Sequence, residues 1–531
     1  MRNVLVLLFA CIIGFSAQAQ PPGATIDAQH YTYTLQLNDD NDIIKGQATV
    51  TVKFLKDAAS FKLDLIKQNT TGKGMLVTKV TAKGKPVKFS QSDETLTLSA
   101  AAKKHTTLTY TISYSGIPAD GLIISTNKYG HRTFFGDNWP NRARNWLPCV
   151  DDPADKASVD LIVTAPAHYD VVANGLKIEE KVLANNTKLT HWQETAQLPT
   201  KVIVIGVADF AIDHPGDVNQ IPVYSYVFPE DKTNGFKGYA QATGILPFFI
   251  DKIGPYPYKK LANVQSKTIF GGMENAGAIF YFENSTAANY KGLEGLMAHE
   301  IAHQWFGDAV TEKSWPHVWL SEGFATYMAN HYLESKYGTD TLKTLMAAQR
   351  AKVLAFEKSK LSPVVDTVTI NKDLMQLLNA NSYEKGGWVL HMLRRRLGDA
   401  VFFKGIVRYF DKYKGSNANT TDLRKVMEQT SGQDLEQFFD QWLYKPGHVQ
   451  LSIARTYDEA TKQMNLLVRQ TQVPLYDLTL EYSVDGKLYK RNMIGTAITV
   501  QVETDDPKSL VIDPNVNLLG TYEVRDLRVA R

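Results

Sequence analysis

Apolar and polar residues alternate with period two through much of the first 215 residues. Tyr31, Tyr33, Leu35 and Leu37 form one such run, Val50, Val52 and Phe54 a second, and Leu108, Tyr110, Ile112 and Tyr114 a third. This spacing puts the apolar side chains on one face of a pleated strand, so half-buried β-strands are predicted. No long helical stretch interrupts them. Residues 20–217 therefore read as a β-rich N-terminal domain closed by the turn signal His214-Pro215-Gly216-Asp217. From residue 218 to 445 the period becomes helical. Leu293, Leu296, Met297, Ile301, Ala302 and Trp305 recur on one face, as do Phe324, Met328, Tyr332 and Leu333, with Gly338 placed as a terminator. Further helices are predicted over 389–393 and 421–443. After Lys445-Pro446-Gly447 the alternation returns in Leu451 and Ile453, Leu466 and Val468, and Ile498, Val500 and Val502. Residues 446–531 are accordingly predicted as a small β-sandwich. The pattern is that of a multidomain α+β protein.

Composition narrows the partners. A chain of 531 residues, 44% apolar and 21% charged, can bury several cores. Its net charge of +3 is small for this size, so neither nucleic acid nor a membrane surface is an expected partner. The strongest basic cluster, Arg394-Arg395-Arg396, lies on a predicted helix and is read as a solvated face. Residues 1–19 read as a signal peptide: Arg2, an apolar stretch over 4–15, and the small-residue site Ser16-Ala17-Gln18-Ala19. Export through the secretory pathway of a bacterium, to the periplasm or beyond, is the expectation. No later apolar run is long enough for stable membrane insertion. Cleavage leaves Cys149 alone, so no intramolecular disulfide is expected and the thiol is read as a packing residue.

The chemistry lies in His299-Glu300-Ile301-Ala302-His303, followed after eighteen residues by Glu322 in Trp319-Leu320-Ser321-Glu322-Gly323. Histidines at i and i+4 leave one face of a helix together and can take two corners of a tetrahedron around one Zn²⁺ per chain. Glu322, from a later helix, is the candidate third ligand. Three protein ligands leave a fourth position open, the arrangement of catalytic rather than structural zinc. The metal lowers the pKa of a water to about 7, and Glu300, beside it, is placed as general base and then acid.

Upstream stands Gly271-Gly272-Met273-Glu274-Asn275. With that segment in front of H-E-x-x-H, eighteen residues and E, the chain resembles the M1 family of zinc aminopeptidases. The resemblance extends to 144–148, 151–153, 206–210, 383–386 and 442–447. It implies a saddle-like N-terminal β domain, a thermolysin-like and mostly helical catalytic domain, and the C-terminal β-sandwich. It also implies substrates that are peptides with a free N-terminus. Glu274 is then the anchor for the α-ammonium, Gly271, Gly272, Met273 and Asn275 line the peptide on an edge strand, and Tyr383 stabilises the oxyanion. Two departures stand out. Many relatives continue into a large helical C-terminal domain, so this sequence reads as a short form. Relatives also commonly supply a glutamine or glutamate within the segment equivalent to 135–140, where this chain has Phe135-Gly136-Asp137-Asn138-Trp139-Pro140, and Asp137 and Asn138 are the candidate substitutes. A metalloendopeptidase of the same zinc class would keep the ligands with no need of Glu274. A noncatalytic interaction module would need neither metal nor base.

Overall fold

The period-two runs become neighbouring strands. Ile26–Gln36 pairs antiparallel with Ile44–Phe54, Tyr31 opposite Val50, and parallel with Ala157–Pro166, Tyr31 opposite Val159. Thr107–Ile117 lies on the other side of Ile44–Phe54 in the same eight-stranded sheet. Tyr31, Tyr33, Leu35, Val50, Val52, Phe54, Tyr110, Ile112 and Tyr114 are all buried. One face of each strand thus supplies the core, as period two requires. The buried phenols find partners: Tyr33 donates to the Pro148 carbonyl (3.1 Å) and Tyr31 accepts from the Val150 amide (3.0 Å). Cys149, held between these two contacts, is buried and free.

A computed structural model of the chain describes residues 23–287, 290–369 and 373–527. The signal peptide expected at 1–19 lies outside the described residues. The stretch His214 to Asp217, read as a turn, is a bulge inside the hairpin of Ala211–Val218 with Ile221–Val227. That hairpin continues through Leu261–Ser266 and Ala278–Phe282 to the two-residue edge strand Gly272–Met273. The sheet that carries the glutamate motif at its rim therefore begins before residue 217.

Helices follow: α1 (Lys232–Tyr239), α2 (Ala242–Lys252), α3 (Tyr290–His303), α4 (Trp319–Tyr337), α5 (Thr339–Ser359), α6 (Gly386–Leu397), α7 (Asp399–Tyr413) and α8 (Thr420–Ser431). Helix α4 is the hub. Every residue from Trp319 to Tyr332 is buried, so polar side chains on it need partners inside the protein. It crosses α6 at glycine: a Cβ on Gly323 would lie 2.9 Å from the Gly386 backbone. This close approach brings the segment before α6 beside the first turn of α4.

Two expectations change here. The helix predicted over 421–443 is broken. Gly432 (φ +69°) ends α8 as a left-handed cap, and a short helix Glu436–Phe439 and a π-helical turn Asp440–Tyr444 follow. The arginine triplet is not a solvated face either. Arg394 is buried and pairs with Glu334 (2.6 Å) and Asp399 (2.7 Å), Arg395 is half-buried, and only Arg396 is exposed. Helix α6 is packed by α4 on one side and α7 on another, leaving little of its surface for water.

The chain ends in a four-stranded sheet built on Val449–Asp458 and Gln463–Gln470, and a three-stranded sheet around Leu478–Val484. The architecture is multidomain α+β, with a β-rich N-terminal part, a helical middle and C-terminal β-sheets. Among the described residues no helix is long and apolar enough to cross a membrane.

Candidate metal centre and peptide cleft

His299 and His303 leave the last turn of α3 on one face, and their Nε2 atoms are 3.0 Å apart. Glu322 meets them from the first turn of α4, its Oε2 3.5 Å from His299 Nε2 and 3.3 Å from His303 Nε2. Ligand atoms of all three lie within 4.8 Å of one another. The tautomer of His303 is set from behind, since its Nδ1 faces the Phe306 carbonyl and the Ser321 hydroxyl, both at 3.1 Å. A proton on Nδ1 leaves a lone pair on Nε2, as a metal ligand requires. Gly307 makes room for this arrangement. Its φ is +118°, and a Cβ there would lie 2.2 Å from the Ser321 hydroxyl.

Two observations fit the group to a cation. Glu322 Oε2 is buried and no hydrogen bond satisfies it, and two imidazole nitrogens with one carboxylate are the donor set of catalytic zinc. Among the protein groups alone, His303 is pushed up to about 10, because Glu322 and Glu274 outweigh the lowering effect of burial. Glu322 is held well below the usual carboxylate range, chiefly by His303 and His299 and against its burial. A metal must therefore displace a proton from this group below pH 10. Zinc affinity measured by chelator competition is expected to weaken by about tenfold per pH unit as pH falls from 9 towards 7, one proton being exchanged per ion. A flat profile would remove the proton from the exchange.

Glu274, Glu300 and His303 also lie within 4.8 Å of one another through their polar atoms. Glu300 is buried and pushed well above the carboxylate range by that burial and by Glu274 and Glu322, with His303 opposing. Glu274 Oε1 is buried without a hydrogen-bond partner, an acceptor facing no protein donor. Of the two glycines before it, only the second is demanded by space. A Cβ on Gly272 would lie 2.3 Å from Glu300 Oε1, whereas one on Gly271 would meet nothing within 4 Å.

Gln304, which the sequence motif did not single out, joins the two parts of the site. Its Nε2 donates to the Glu274 carbonyl (2.7 Å) and to Asp308 (3.0 Å), and its Oε1 accepts from the Gly277 amide (2.8 Å). The glutamate segment is thereby stapled to the end of the histidine helix. Asn275 is fully buried, with both side-chain polar atoms unpartnered.

A cavity of about 390 Å³ opens over these groups, with Trp139, Phe270, Met273, Leu296 and Leu378 on its apolar walls. The two candidates for the missing amine-binding residue do not face it. Asp137 is buried against Arg142 (2.6 Å) and accepts from Thr268 and the Ile269 amide, both at 3.1 Å. Asn138 donates to the Ile203 carbonyl (2.7 Å) and accepts from the Trp146 indole (2.8 Å). Both are spent on holding the loop ahead of Gly271 and the chain at 200–203. Trp139 is what this segment contributes to the cavity, packed edge-on against Phe270 and Trp315.

Tyr383 stacks on His299, ring centroids 6.0 Å apart. It sits in a π-helical turn, Asn381–Lys385, a geometry that recurs at functional sites. The turn is clamped on both sides. Asn381 Nδ2 donates to the Ser362 carbonyl (2.8 Å). Lys385, fully buried, pairs with Glu357 of α5 (2.8 Å) and donates to the Gly447 carbonyl (2.6 Å), while His448 takes the other Glu357 oxygen. Glu357 and His448, which no motif announced, thus hold the turn that carries Tyr383. Replacing Glu357 with alanine leaves the Lys385 charge buried and unpaired, at an expected cost of about 3–5 kcal/mol in urea unfolding. Its kcat should fall more than its KM changes; an unaltered kcat in the folded variant would deny the clamp a role in placing Tyr383.

Comparison with known proteins gives two matches: the peptidase family M1 domain over residues 239–442 and the peptidase M1 N-terminal domain over residues 27–202. A leucyl aminopeptidase of Saccharolobus solfataricus is 27% identical over 477 residues, covering 85% of this chain and 58% of the relative. Probable aminopeptidase 1 of Sulfurisphaera tokodaii is 26% identical over 523 residues, 94% of this chain and 63% of the relative. Tricorn protease-interacting factor F2 of Thermoplasma acidophilum is 28% identical over 421 residues, 75% of this chain and 51% of the relative. The chain spans less than two thirds of the length of each of these relatives.

Proposed function

The chain belongs to peptidase family M1, and we propose that it is a zinc aminopeptidase that releases residues from the free N-terminus of peptides. The observation that carries this reading is the buried, unpartnered carboxylate oxygen of Glu274, in one cavity with His299, His303, Glu322 and Glu300. A carboxylate without a protein donor in such a place pairs with an α-ammonium. A peptide held by its α-ammonium can present only its first peptide bond to the reacting groups.

His299, His303 and Glu322 would hold the zinc, which would supply Lewis acidity at the scissile carbonyl and a more acidic water near neutral pH. Glu300 takes the proton of the attacking water and returns it to the departing amine. The burial and neighbouring carboxylates that push its pKa up help it hold that proton between the two transfers. Tyr383 donates to the carbonyl oxygen as negative charge grows there. Burial, then Glu322, Glu274 and Glu300, push its phenol well above 10, so the donor keeps its hydrogen. The Gly272–Met273 edge strand offers its backbone to the extended peptide. Trp139, Phe270 and Met273 favour a large apolar first residue.

Hydrolysis of amino-acid anilides and short peptides, free or acetylated at the amine, with and without a chelator, tests the whole reading. Chelator-sensitive cleavage of the free substrates alone is expected. Cleavage of acetylated peptides would instead establish an endopeptidase. Replacing Glu274 with alanine removes the anchor, and kcat/KM for free N-termini should fall by about 30-fold to 5,000-fold, the equivalent of about 2–5 kcal/mol. Equal losses on blocked and free substrates would deny the anchor role.

A further inference from the structure

The arginine triplet has no part in the chemistry above, yet it is not idle surface. Arg394 is taken by Glu334 and Asp399, and Arg396 lies over the Phe438 ring with a bond to the Asp434 carbonyl. Arg395 differs. It is half-buried, its Nε is shielded from water, and no acceptor among the described residues meets that nitrogen. The Arg395 Nε is thus a shielded donor without an acceptor, and the carboxylate that feels its charge, Asp399, is already paired with Arg394, so an anion reaching that nitrogen would satisfy it.

Arg395 lines a cleft of about 530 Å³ between α6 and the C-terminal sheets, larger than the cavity at the metal centre. Met392, Trp442 and Leu478 give it a buried apolar floor. Its carboxylates do not serve Arg395: Glu481 is held by Lys490 (2.6 Å) and Asn517 (2.8 Å), and Asp477 makes no ion pair with it. The side chains of Gln437 and Asn492 at the rim can meet an amide group.

We propose that this cleft is a second binding site for a carboxylate carried on an apolar residue, with the Arg395 guanidinium as its anchor. The chemistry is shared by the C-terminus of a peptide and by a free apolar amino acid. The inference does not depend on the metal centre.

Calorimetric titration of the zinc-loaded protein with N-acetyl-leucine tests it, because the blocked amine keeps this probe from Glu274. One saturable site is expected, with N-acetyl-leucinamide weaker by about tenfold or more, the worth of one charge-assisted contact. R395M should weaken the acid by a similar factor, with anilide hydrolysis and thermal melting unchanged. Chelating the zinc should leave the titration as it was, so failure here and failure of the aminopeptidase reading are separately visible. Tighter binding of N-acetyl-leucyl-leucine would identify a peptide end. Equally tight binding of free leucine in an E274A background would identify a released amino acid. Absence of saturation, equal affinity for acid and amide, loss on chelation, or full affinity in R395M would each overturn the proposal.

Discussion

On the proposed mechanism, Glu300→Gln should lower turnover by about 10²–10⁴-fold while leaving metal content unchanged. Glutamine has the shape of glutamate and fits the same slot against Gly272, so structure and metal content should hold. What it lacks is a site for the water's proton. The substitution has a second consequence that separates function from stability. Glu300 is buried, and its pKa is pushed up by that burial and by Glu274 and Glu322. A carboxyl whose folded pKa lies above its unfolded value loses stability as pH rises through the interval between them. Removing the charge should therefore raise the melting temperature of the zinc-stripped protein at neutral pH relative to the parent. The measurements are kcat on a leucine anilide, zinc by atomic absorption and a thermal melt. Activity within tenfold of the parent would remove Glu300 from the proton path.

Gly272→Ala is expected to be nearly as damaging, although it adds one methyl group to a residue with no functional group. The new Cβ would lie 2.3 Å from Glu300 Oε1 and 2.5 Å from its carboxyl carbon, so either the carboxylate or the edge strand must move. A shift of that size at a general base costs on the order of 10²-fold, because proton transfer requires hydrogen-bonding distance. Gly271→Ala is the internal control. Nothing lies within 4 Å of its added Cβ, and the position is exposed, so kcat should stay close to the parent. Equal effects of the two substitutions would mean that the motif needs glycine for backbone freedom and not for the Glu300 carboxylate.

The contrast between those glycines shows where sequence reading reached and where it stopped. Two adjacent glycines before a glutamate imply close backbone approach to something. They do not say to what. The sequence reading assigned that approach to substrate, and in the structure the group that closes on Gly272 is the Glu300 carboxylate. Asp137 and Asn138 repeat the lesson. As residue types they could have replaced an amine-binding group, yet Arg142 and the backbone at residues 200–203 and 269 claim them first. The triplet Arg394 to Arg396 read as solvated because charge runs usually are. Glu334, on α4 and sixty residues earlier in the chain, draws Arg394 inside. Gly432 is a miss of another kind: a glycine after a polar helix end is a local stop signal, and it was there to be read.

What the sequence determined by itself is local in origin. Period two set the strand faces of the N-terminal and C-terminal parts, because neighbouring side chains on a strand point to opposite sides whatever the rest of the chain does. Spacing of four put the His299 and His303 nitrogens on one side of α3, because a helix turn is the same everywhere. Tertiary structure alone decided which distant groups share one low-dielectric space. It closed α4 on α6 through Gly323 and Gly386, placing Glu322 beside Tyr383. It set Gln304 between Glu274 and Asp308, and joined Lys385 to Glu357 and Gly447. Such pairings depend on burial and on competition among all available donors and acceptors, and no window of sequence contains both partners.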